Sequence, residues 1–80
     1  MTYIATFHTH LSALRSCSAL KSRGIGGRLA PVPRRISSSC GTCVIYQGED
    51  MALDAMDRDL EAVWQAEEGT YRCLYQKDDP

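Results

Sequence analysis

Aromatic, β-branched and small residues alternate along Tyr3-Ile4-Ala5-Thr6-Phe7, a period of two that predicts a strand at the start of the chain. The period then changes. Leu11, Leu14, Cys17 or Ser18, and Leu20 or Lys21 recur at helical spacing and predict a first helix that starts between Thr9 and Ser12. Arg23-Gly24 marks its end, with a cation near the negative end of the helix dipole and a residue that turns the chain without strain. Arg28 to Val32 predicts a second strand, which Pro31 and Pro33 confine to a sheet edge because proline has no N–H for a ladder. Cys43 to Tyr46 is the third, by its β-branched and aromatic content, closed by Gly48.

From Met51 onward Leu53, Met56, Leu60, Val63 and Trp64 step by three or four, with Glu49 and Asp50 ahead of them and Gly69 behind, which predicts a second helix. Thr70 to Tyr75 predicts a fourth strand with Tyr71, Cys73 and Tyr75 on one face. Strand, helix, strand, strand, helix, strand is the order of an α+β ferredoxin-like βαββαβ sandwich, a four-stranded antiparallel sheet with two helices on one face. A right-handed first crossover makes strands one and two parallel, with strand three antiparallel between them. The end of strand one, the start of helix one and the loop between strands two and three then meet at one end of the sheet. His8 and His10 become neighbours of Cys40.

Eighty residues suffice for one small domain, expected over residues 1–76 with a polar tail over 77–80. A hydrophobic share of 44 % and a charged share of 24 % are those of a folding chain. A formal net charge of -1 provides no broad electropositive field for nucleic acid, so no nucleic-acid partner is expected. The first residues carry no basic segment and no long apolar run, and no stretch approaches the ~20 apolar residues of a membrane span. The expectation is a cytoplasmic chain with no membrane partner, whose four cysteines are free, metal-bound or catalytic rather than a disulfide framework.

The chemistry concentrates in Ser37-Ser38-Ser39-Cys40-Gly41-Thr42-Cys43. Thiols at this spacing can form a disulfide, share a metal ion or leave one sulfur as a reactive thiolate. A helix N-terminus, Arg34 and Arg35, and the hydroxyls of Ser37, Ser38 and Ser39 all favour a thiolate at Cys40, and Gly41 beside it leaves the sulfur accessible. An exposed nucleophilic sulfur on so small a domain suits a carrier better than a stand-alone enzyme, and no cofactor is called for. Cys17 and Cys73 fall on apolar faces and read as core residues. Cys43 is either the first buried residue of strand three or a second working thiol.

The runs Phe7-His8-Thr9, Gly27-Arg28-Leu29-Ala30-Pro31-Val32-Pro33-Arg34 and Ile36-Ser37 leading to Cys40-Gly41 resemble the small bacterial proteins of the selenium/sulfur (Se/S) carrier protein-like family. The resemblance spans Tyr3 to Tyr46, and its specific part is Pro-Arg-x-Ile-Ser-x-x-Cys-Gly. It implies that Cys40 holds sulfur or selenium as a persulfide or selenopersulfide, taken from a donor such as a cysteine desulfurase and delivered to an acceptor enzyme. The chain departs from the family pattern at Thr42-Cys43, where Cys43 could resolve a Cys40 persulfide to a disulfide. Other classes stay open: a zinc site from Cys40, Cys43, His8 and His10, a dithiol redox module, or a regulatory interaction domain without chemistry. The edge strand also offers a surface for a homodimer.

Overall fold

Strand β1 (Thr2–Phe7) is the centre of the sheet, and its alternation puts Tyr3, Ala5 and Phe7 on one face and Ile4 on the other. The computed structural model describes residues 1–77, so the expected polar tail lies outside the described residues except for Lys77. β1 pairs antiparallel with β3 (Thr42–Gln47) on one side and β4 (Leu60–Glu67) on the other. β2 (Gly27–Pro31) pairs antiparallel with β3, and β5 (Thr70–Gln76) with β4, for a sheet order of β2-β3-β1-β4-β5. β2 and β1 are therefore parallel, with β3 between them, and β2 is an edge.

The helix α1 (His10–Ser22) starts at Thr9, whose extended backbone and side-chain oxygen, accepting from the Ser12 N–H at 3.1 Å, cap the first turn. It ends where Gly24, at φ +78, lets its own N–H and that of Ile25 return to the carbonyls of Lys21 and Leu20, each at 3.0 Å. Its buried face is Ser12, Ala13, Ser16, Cys17 and Leu20, so Leu11 and Leu14, expected on the apolar face, are exposed. Cys17 and Leu20 pack with Phe7, Val44, Tyr46 and Val63 into the main core between helix and sheet. Small Ser and Ala side chains along the buried face let the helix sit close to the sheet. Ser16 also ties it down by accepting the Asp57 N–H at 2.8 Å.

The ferredoxin-like βαββαβ sandwich is not the fold. Among the described residues there is one α-helix and a five-stranded antiparallel sheet, because the segment expected to be helix two holds only a 3-10 turn, Leu53–Ala55, followed by β4. Leu60, Val63 and Trp64 meet a helical template, yet Leu60 and Val63 face the main core while Ala62, Trp64 and Ala66 lie toward the other face. The helix-side core covers one face of β4 and the cluster under the β2–β3 loop the other, so apolar residues fall on both faces, and such a run matches either period. Pairing with β1 and β5 satisfies the backbone groups of β4 and closes an edge β1 would otherwise expose.

Two register shifts complete the sheet. Thr6 opposes Ala62 and Phe7 opposes Leu60, which leaves Glu61 as an extra residue; Val63 opposes Tyr75 and Trp64 opposes Cys73, which does the same for Leu74. The second shift overturns the expected face of β5: Tyr71 packs with Trp64 and Ile4 on the far face, Leu74 and Tyr75 pack with the main core, and Cys73 is exposed instead of buried. On the far face the long β2–β3 loop lays Ile36 over Ile4 and Cys43. Among the described residues no helix is long and apolar enough to cross a membrane.

Candidate functional site

The loop that carries the thiol pair is built by two local turns. After β2 the Ile36 N–H returns to the Pro33 carbonyl at 3.0 Å, folding Arg34 and Arg35 outward and Ile36 inward. At its far end Gly41 takes φ +75, and its carbonyl accepts the Val32 N–H at 3.1 Å, so the chain re-enters the ladder as β3. A Cβ on Gly41 would meet nothing within 4 Å. The glycine is required by the left-handed backbone rather than by a crowded neighbour.

The Glu61 bulge holds this loop. Glu61 Oε1 accepts the Ser38 hydroxyl at 3.0 Å and the Ser39 N–H at 3.2 Å, and Oε2 accepts the Ser39 hydroxyl at 2.5 Å. His8 Nδ1 lies 3.3 Å from both Ser39 Oγ and Glu61 Oε2. The extra residue in β4 turns this carboxylate toward the β1 end of the sheet, as bulges beside functional sites do. Its backbone is pinned as well, with the Lys77 N–H donating to the Glu61 carbonyl at 2.9 Å and the His8 N–H to that of Asp59 at 2.9 Å. Glu61 went unread in the sequence because it fell inside an expected helix, and a bulge leaves no signal in residue type.

The expected site residues fall into three groups. His8 and His10 both reach the loop, His8 at Ser39 and His10 through a 3.1 Å contact between Nδ1 and Thr42 Oγ1, so they hold residues on either side of Cys40. Cys40 is half-buried and directs its own S–H to the Thr42 carbonyl at 3.5 Å. Arg34 is exposed on its turn, whereas Arg35 reaches across the far face to donate to the Gly69 carbonyl at 3.2 Å. Ser38 and Ser39 serve Glu61, and Ser37 is exposed beside them. Cys43 is wholly buried among Ile4 and Ile36, with its S–H toward the Pro31 carbonyl at 3.7 Å. Burial pushes its thiol up to about 11, opposed by the charge of Arg28 and slightly reinforced by Cys40.

All four cysteines are free. Among the described residues no three His, Cys, Asp or Glu side chains come together in an arrangement that could hold a metal ion, so the His8, His10, Cys40 and Cys43 ligand set does not assemble. Beneath the loop runs a cleft of about 420 Å³, lined among others by Thr6, His8, Ser39, Glu61, Trp64 and Lys77. Cys40 lies one residue beyond this wall, a Cα step of about 3.8 Å from Ser39.

The model of the family described as "Putative Se/S carrier protein-like" matches residues 2–64, and the chain belongs to that family. The match takes in the whole loop, both histidines, Glu61 and Trp64. No curated protein and no solved structure matches the chain.

Proposed function

We propose that this member of the Se/S carrier protein-like family carries sulfur or selenium on Cys40, as a persulfide or selenopersulfide, and hands it to a partner enzyme. The observation that carries the reading is the setting of Cys40: a half-exposed thiol on a loop that Glu61, His8 and His10 hold in place by hydrogen bonds. A carrier needs a sulfur that two different active sites can reach, and a loop at the sheet's end meets that need without a deep cavity. Cys17 and Cys43 are buried and cannot be presented in this way. Cys73 is exposed but stands on the edge strand β5, with no comparable setting of hydroxyls and imidazoles.

The buried, hard-to-ionise Cys43 supports single-thiol carriage over a dithiol redox cycle, because the thiolate is the species that attacks a persulfide or a disulfide. The donor in this reading is an enzyme that forms a persulfide, such as a cysteine desulfurase, and the acceptor consumes one. Intact-mass spectrometry after incubation with a cysteine desulfurase and cysteine tests it, with peptide mapping to locate the adduct and a Cys73→Ser variant to remove the other exposed thiol. The expected result is one added sulfur on Cys40, lost in Cys40→Ser. No sulfur on Cys40 under any condition sinks the reading.

A further inference from the structure

The cleft under the Ser37–Ser39 loop contains polar groups that the fold itself leaves unanswered. Thr6 is fully buried and its Oγ1 has no hydrogen-bond partner among the described residues; the buried Nε1 of Trp64 has none either. Both residues line the cleft. An indole N–H can only donate, so a buried one without an acceptor is destabilising, and a ligand oxygen would recover that loss. Among the lining residues are two of opposite charge, Glu61 and Lys77, the latter's ammonium donating to the Arg58 carbonyl at 2.5 Å. Glu61 is fixed in orientation by Ser38 and Ser39.

Resting on the carriage reading above, we propose that this cleft binds the α-amino-acid moiety of a small sulfur or selenium donor and presents its chalcogen to Cys40. The carboxylate of such a zwitterion meets the Lys77 ammonium, the Trp64 N–H and the Thr6 hydroxyl, and its ammonium meets Glu61. The side chain then points along Ser39 toward Cys40, the next residue in the chain. With cysteine persulfide as donor, the Cys40 thiolate attacks the terminal sulfur. A Cys40 Sγ–S bond forms while the ligand's S–S bond breaks, its electron pair leaves on the cysteine thiolate, and the S–H proton stays on the transferred sulfur. The exchange needs no outside oxidant or reductant.

The ligand class is tested apart from the transfer by titrating ¹⁵N-labelled protein with S-methyl-L-cysteine, which has no thiol and no transferable sulfur. Saturable shifts at the Trp64 indole N–H and at Ser39, with a dissociation constant of about 1 mM or tighter, are expected. Thr6→Val, which keeps the side-chain shape, and Trp64→Phe should each weaken binding about tenfold, as should removing the amine by using 3-(methylthio)propionate. No saturable shift, or equal binding of the amine-free compound, overturns the proposal. Transfer is then read by mass after mixing with cysteine persulfide: Trp64→Phe should slow loading of Cys40 about tenfold from this donor but not from sulfide-derived polysulfide. Loading by a desulfurase without amino-acid binding would leave carriage standing and remove the cleft's role. Amino-acid binding with Cys40 never loaded would do the reverse.

Discussion

Cys43 offers the sharpest check on how the two neighbouring thiols differ. Its side chain is fully buried, and burial lifts its thiol from 9.0 to about 11. A rise of about two pKa units means about 100-fold less thiolate at any pH well below both values, and only the thiolate attacks an alkylating agent. At pH 8 roughly one Cys43 in a thousand is ionised in the folded protein, against roughly one in ten once unfolded. Steric closure by Ile4 and Ile36 multiplies the protection. Brief iodoacetamide labelling at pH 8, in buffer and in concentrated urea, followed by peptide-level quantification, measures the ratio directly. Cys43 should label at least about 100 times more slowly in the folded protein than in urea. A ratio under about ten would refute both its burial and its assignment to the far-face core, and would return it as a resolving thiol.

The same residue sets a pH dependence. Because the folded pKa lies above the unfolded one, folding favours the neutral thiol: its stabilisation is complete below pH 9 and is lost as pH rises through about 11, by up to about 2–3 kcal/mol. Tyr46, whose phenol is also held up by burial, adds to this loss above pH 10, so urea midpoints should fall between pH 8 and 10.5 and fall less in Cys43→Ala. Glu61→Gln removes a charged acceptor from Ser38, Ser39 and His8; we expect a loss of about 1–3 kcal/mol and faster amide exchange at Ser39, and unchanged exchange would show that the loop is held by other contacts. Leu20→Ala opens a void in the main core and should cost about 2–5 kcal/mol by denaturant titration, with a value below 1 kcal/mol placing Leu20 outside the core. Gly41→Ala should cost about 1–2 kcal/mol for its left-handed backbone and leave Cys40 alkylation unchanged, whereas a tenfold slower reaction would mean that the glycine serves access to the sulfur.

Much of the first half of the molecule was readable from residue order. The alternation of Tyr3 to Phe7, a helix start between Thr9 and Ser12, the Gly24 stop and the prolines at and after the end of β2 each act through their own backbone or an adjacent turn, so local rules suffice. The meeting of His8, His10 and the cysteine loop followed from the order of those elements and the handedness of one crossover. Leu11 and Leu14 misled because apolar spacing alone does not say which stripe of a helix packs; the smaller Ala13 and Ser16 let helix and sheet approach closely. The second half failed for a different reason. Leu60 to Ala66 carries apolar residues for two faces at once, and only the presence of β1 and β5 on either side decides for strand over helix.

By itself, then, the sequence determined that a strand, a helix and an edge strand would bring a serine-rich thiol loop to one end of a sheet, and it pointed to Cys40 as the thiol to test. The tertiary structure decided what the loop rests on. Glu61 and Trp64 reach the site only because β4 completes the sheet and bulges at one residue, and Cys43 becomes a core side chain only because Ile36 folds back over it. These are consequences of pairing and packing between segments distant in the chain, where backbone hydrogen bonds and buried area outweigh local propensity, so residue types read in order do not encode them visibly.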